Sequence, residues 1–178
     1  MIEKALDPRN QLRLLSDCSL DPMVHIFFVC SISAWLIASA AAAGRVERPS
    51  QPLKAGVRVV VSAVREAAAE NHVAADRLRG DRLTEYLVRR AAAAANNLRE
   101  EDAAKAFLIG LGAAIDHSTV LRAAPLINQV FLAAETEDER RQRLAMLGAP
   151  TMHGRRDLAQ HFVVSGALAI LIGPETAE

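Results

Sequence analysis

Ten consecutive residues, Ala106–Ile115 (AFLIGLGAAI), carry no polar side chain. A helix that is apolar on every side has no face to offer to water. It must be surrounded, by other helices in a bundle or by lipid. The residues before it supply a start: Asn97 is followed three positions on by Glu100. In a capping box the first side chain accepts an amide hydrogen bond and the second returns one. The spacing predicts a helix over about 98–116. Gly110 and Gly112 inside it leave room for a neighbouring helix to come close.

The rest of the chain supplies such neighbours. Alanine, the best helix former, fills 34 of 178 positions. Val57, Val60, Val61, Val64, Ala67 and Ala68 fall at helical spacing. Val59–Val61 alone would suit a short strand, but the continuation Ala67–Ala69 favours helix. Leu83, Leu87, Ala91, Ala94, Ala95 and Leu98 share one face of a helix over roughly 81–96. Pro125 opens a short apolar element reaching about Ala134. Thr136 with Glu139 is a second capping-box pattern, for a helix ending at Leu147, and Gly148 and Pro150 form its stop signal. A last helix begins near Arg155 and runs to Ile172, apolar through Phe162–Ile172. No repeat of 20–50 residues is visible. The expected fold is all-α: an irregular bundle of about five to six helices after an N-terminal signal or anchor helix.

That N-terminal element is residues 23–43, MVHIFFVCSISAWLIASAAAA, with no Asp, Glu, Lys or Arg. About 20 apolar residues span the ~30 Å hydrocarbon core of a bilayer as a helix. The small residues at its end, Ala41-x-Ala43, suit signal-peptidase cleavage near Ala43. The length suits an uncleaved anchor equally. Arg45, Arg48, Lys54 and Arg58 follow the run and, for an uncleaved helix, would hold the following segment in the cytoplasm. Residues 1–22 are read as an upstream extension with Met23 as an alternative start, residues 44–54 as a linker, and 55–178 as the helical domain. Gly173–Glu178 resembles the first turn of another helix, so the domain is read as truncated there. Cys18 and Cys30 both precede Gly44, which leaves the domain without disulfide or thiol. Cys30 follows Phe28-Val29 and lacks the small residue of a lipoprotein signal.

Charge excludes one class of partner. Lys and Arg number 21, as do Asp and Glu, and only 4% of residues are aromatic. Nucleic-acid binders carry a basic excess or stacking aromatics, so no nucleic acid is expected.

The chain has no Gly-rich phosphate loop, HExxH, GxSxG or CxxC motif. Three residues four apart, His153, Asp157 and His161, would line one helix face and are types that ligate zinc. Gly154 argues against helix at 153. The structural alternative has Asp157 capping or in a helix first turn, favouring the dipole, and His161 as a hydrogen-bonded core residue beside Phe162. Asp116, at the end of the apolar helix, is a candidate proton donor if its surroundings raise its pKa, or a cap for the turn at Ser118 and Thr119. Arg140-Arg141-x-Arg143, beside Glu135, Glu137, Asp138 and Glu139, reads as a solvated, salt-bridged face, as does Arg155-Arg156. Asn71-His72 has no evident partner.

The stretch Leu147–Leu168, LGAPTMHGRRDLAQHFVVSGAL, resembles a family of uncharacterised bacterial envelope proteins, and Ala106–Asp116 is similar to the same family. The resemblance covers residues 98–178. His161-Phe162 at the head of an apolar helix is similar to VanZ-like and YfiM-like membrane or lipoprotein families. The resemblance implies an envelope location and a chain continuing past Glu178. It also implies functional weight at Asp116, Arg156, Asp157 and His161, and no settled activity. The leading expectation is a non-enzymatic, exported or membrane-associated helical protein without a cofactor, whose partner is the membrane or another envelope protein. The alternative is a hydrolase, acid–base or zinc-dependent, using Asp116, Asp157 and His161.

Overall fold

The computed structural model describes residues 48–173 apart from Leu126, with nothing stated of the Val120 side chain. The uncharged run at 23–43, the boundary at 44 and the helix start at 174–178 lie outside the described residues. Within them stand seven helices and no strand: α1 Gln51–Val73, α2 Gly80–Ala95, α3 Glu100–Ile115, α4 Val120–Ala123, α5 Asn128–Ala134, α6 Glu137–Met146 and α7 Arg156–Ile172. The fold is all-α, as the periodicity predicts. None of the described helices is long and apolar enough to cross a membrane.

The apolar helix is the middle of the bundle. α3 packs against α1 on one side and α7 on the other, with α2 alongside. Eight of its last ten residues are buried: Ala106 and Ile109–Ile115. Its two glycines mark the closest approaches. A Cβ on Gly110 would stand 2.7 Å from the Val60 side chain of α1. One on Gly112 would stand 2.7 Å from the Ala167 Cβ and 2.8 Å from the Val163 carbonyl oxygen of α7. Real side chains do not approach so closely, so each glycine admits a neighbouring backbone where alanine would push it away.

α1 buries the stripe Val57, Val60, Val61, Val64, Ala67 and Ala68, all fully enclosed. It begins at Gln51, inside the expected linker, because Ser50 Oγ accepts the Leu53 amide at 3.2 Å and Pro52 sits in the first turn, where its missing N–H costs nothing. In its last turn, Asn71 does have a partner. The side-chain amide donates to the Leu78 carbonyl at 3.2 Å and its oxygen accepts the Leu78 amide at 2.7 Å. That pair of hydrogen bonds folds the connection back toward α2, where Leu83, Leu87, Ala91 and Ala95 face the core.

Asn97 does not cap α3. Its amide donates backwards to the Ala93 carbonyl at 3.1 Å, finishing α2. Arg99 takes the N-cap position of α3 without a side-chain cap bond and pairs with Asp102 at 2.6 Å. Glu100, Glu101 and Asp102 place three carboxylates at the positive end of the helix dipole. The second capping box forms in full. Thr136 Oγ1 accepts the Glu139 amide at 3.2 Å, and Glu139 Oε2 accepts the Thr136 amide at 2.8 Å. α6 ends at Leu147 and Gly148, the latter at φ +73°. His153 and Gly154 then both adopt positive φ, +52° and +74°, while Met152 and Arg155 exchange backbone hydrogen bonds around them. This is the geometry of a tight hairpin turn, and it delivers the chain into α7.

Candidate functional site

The polar residues of the core collect where α3 ends. Its last carbonyls have no partner within the helix, and the partial negative charge there favours cations. Arg143, fully enclosed, donates from Nη1 to the Ala114 carbonyl. The same guanidinium grips Glu135 in two bonds, Nε to Oε2 at 2.9 Å and Nη2 to Oε1 at 2.6 Å. Glu135 is 2% exposed. An isolated charge at that depth would be untenable, and the paired geometry makes it tolerable.

Two more arginines tie in the adjoining loop. Arg140 Nη2 donates to the carbonyls of His117 at 3.2 Å and Ser118 at 2.9 Å. Arg122 Nη1 donates to the Phe131 carbonyl at 3.0 Å, and its Nη2 donates to the Glu135 carbonyl at 3.3 Å and pairs with Glu137 at 2.7 Å. Beside them is a cavity of about 10 Å³, bordered by Asp116, Ser118, Arg122, Glu135 and Arg140. That volume admits one water molecule and no organic substrate.

The charge pattern predicts a solvated face for Arg140, Arg143 and Glu135, but all three are buried. Arg140, Arg143 and Leu147 are spaced three and four apart and form the inward stripe of α6. That spacing was the available signal, masked by the charge of the residues that carry it. Arg141 and Arg155 do behave as expected, exposed and paired with Asp138 and Asp157.

The predicted site residues are brought together only in part. Asp116 is buried at the end of α3. Its Oδ1 accepts the Ser118 amide at 2.8 Å and the Gln160 side-chain amide at 2.9 Å, and its Oδ2 accepts the Ser118 hydroxyl at 3.0 Å. This is the turn-capping alternative, extended by a tie to α7. Arg156 lies against His117, with Nη2 3.0 Å from Nε2 and 3.2 Å from Nδ1. Burial first, then Arg156 and Arg143, hold the His117 pKa below its ordinary value.

His153, Asp157 and His161 do not form a ladder. α7 starts at Arg156, so His153 falls in the preceding turn and off the helix face. Asp157 turns to Arg155, whose guanidinium holds its carboxyl below the usual range. His161 Nδ1 meets the Ser165 hydroxyl at 3.1 Å, one turn further along and away from Asp157, but the ring is exposed and Phe162 beside it is 65% exposed, so His161 is hydrogen-bonded at the surface and not in the core. Among the described residues no group of three His, Cys, Asp or Glu side chains is placed to hold a metal ion.

A larger depression, about 460 Å³, opens between the end of α2 and the start of α3. Ala92, Ala95, Leu98, Ala103 and Phe107 line it together with Asn96 and Glu100. Comparison with protein-family models, with curated proteins and with solved structures returned no significant match.

Proposed function

We propose that this chain is a structural or interaction protein of the bacterial envelope, exported or membrane-anchored through its N-terminal run, and not an enzyme. One observation carries the choice over the hydrolase. Asp116, Asp157 and His161, which the catalytic reading needs in one place, are engaged by Gln160 and Ser118, by Arg155 and by Ser165 respectively. The alanine-rich depression between α2 and α3, lined mostly by apolar side chains with Asn96 and Glu100 among them, supports a partner-binding role. The envelope location rests on the uncharged run at 23–43 and its small-residue end. The membrane or another envelope protein is the partner of this reading.

Expression of the full chain in a bacterial host tests it. Cell fractionation should place the protein with the envelope, and mass spectrometry should find an N-terminus near Gly44 or an intact chain in the membrane fraction. An intact chain in the cytosolic fraction overturns the export reading. Metal analysis decides against the alternative separately: stoichiometric zinc that His161→Ala abolishes would return the hydrolase to first place.

A further inference from the structure

α7 is tied to the end of α3 at two points one turn apart. Gln160 donates to Asp116 at 2.9 Å, and Arg156 lies on the His117 ring. The N-cap residue Arg155 makes no side-chain cap bond. The Arg156–His117 contact depends on the charge of the ring. Arg156 Nη2 is nearly equidistant from both ring nitrogens, so the guanidinium lies over the face of the ring, a face that attracts a cation when the ring is neutral. Protonated, both ring nitrogens are donors, and the contact becomes one between two cations.

We propose that His117 is the acid-sensitive pin of a latch that holds the first turns of α7 to the end of α3. The groups facing it are Arg156 and Gln160 from α7, Arg140 and Arg143 from α6, and Asp116 from its own loop. Asp116 favours the protonated ring, but its oxygens already accept from Ser118 and Gln160. Three guanidiniums oppose it. The half-buried ring therefore resists a proton in the folded state, which agrees with its lowered pKa. For a base with a depressed folded pKa, the unfolded state binds more protons. The latch is at full strength above pH 6.5, the ring's ordinary value, and weakens as pH falls through the folded value. Neither export nor partner binding is required for this behaviour.

Hydrogen exchange on the purified full chain, at about pH 7.5 and about pH 5, spans the range over which histidine changes charge. After correction for intrinsic rates, amides at Ala159–Val163 should open several-fold more often at the lower pH, while those at Val57–Val64 of α1 stay unchanged. His117→Gln cannot gain a proton, so its α7 should open equally at both. An NMR titration of the wild-type ring, which needs no variant, should place the His117 midpoint below 6.5. The latch is overturned by any of four results: α7 opening that ignores pH, the same response in His117→Gln, α1 opening in step with α7, or a midpoint at or above 6.5.

Discussion

Gly112 and Gly166 both lie at the α3–α7 contact and ask different things of a side chain. A Cβ at Gly112 meets Ala167 at 2.7 Å, whereas one at Gly166 meets Leu108 at an ordinary 3.7 Å. Gly112→Ala should therefore destabilise the protein by about 1–3 kcal/mol through overpacking. Gly166→Ala should be neutral or stabilising by up to about 1 kcal/mol, through helix propensity. Chemical denaturation separates them, and equal midpoints would mean the helices are not in contact at Gly112. The need for close approach was legible from two glycines in an apolar run; which helix meets which glycine was not, because that depends on register between distant segments. Arg143 teaches the opposite lesson. Its charge argued for solvent, and its spacing from Leu147 argued for the core. Arg143→Ala removes both close hydrogen bonds of the buried Glu135 carboxylate, leaving Arg122 at 3.8 Å, and should cost about 3–5 kcal/mol. Arg141→Ala, at an exposed pair, should cost at most about 1 kcal/mol. Thermal melting of the two variants measures the difference directly.

Two segments carry the same capping pattern, and only one makes a box. At Thr136 the preceding residue, Glu135, is anchored by Arg143, and the chain enters α6 with the threonine at the N-cap. At Asn97 the α2 helix has only just ended, so the side chain finds the Ala93 carbonyl behind it sooner than an amide ahead. A four-residue pattern records what a box needs and nothing about the helix upstream. Thr136→Ala should cost about 0.5–2 kcal/mol, read from denaturant midpoints. The box also leaves an acid signature. Accepting the Thr136 amide, with help from Arg65 and the Thr136 hydroxyl, lowers the Glu139 pKa to about 2 from an ordinary 4.5. A carboxylate with a depressed folded pKa stabilises fully above its unfolded value and loses that contribution as pH falls through the folded one. Between pH 4.5 and about 2 the wild type should lose stability more steeply than Glu139→Gln. Parallel acid-denaturation curves would exclude the box as the source.

For the molecule as a whole, the fully apolar segment was the most legible part of the sequence, and it became the buried middle of the bundle. Leu111→Asp should accordingly cost several kcal/mol, as a buried unpaired charge does. Glu101→Ala, in the exposed first turn of the same helix, should cost about 0.3–1 kcal/mol. Similar melting temperatures for the pair would mean that α3 is not central. The site was less legible than the fold, because its residues come from α3, α4, α6 and α7 and the loops beside them, and no local spacing links Ala114 with Arg143 or Asp116 with Gln160. The bundle is also built unevenly. α1 is held by α2, α3, α5 and α6, whereas among the described helices α7 packs substantially against α3 alone. Mechanically, that makes α7 a peelable strip on a stiffer block. Pulled from its C-terminal end in an optical trap, it should detach turn by turn at low force and re-zip on relaxation, well before the block ruptures in a single larger step.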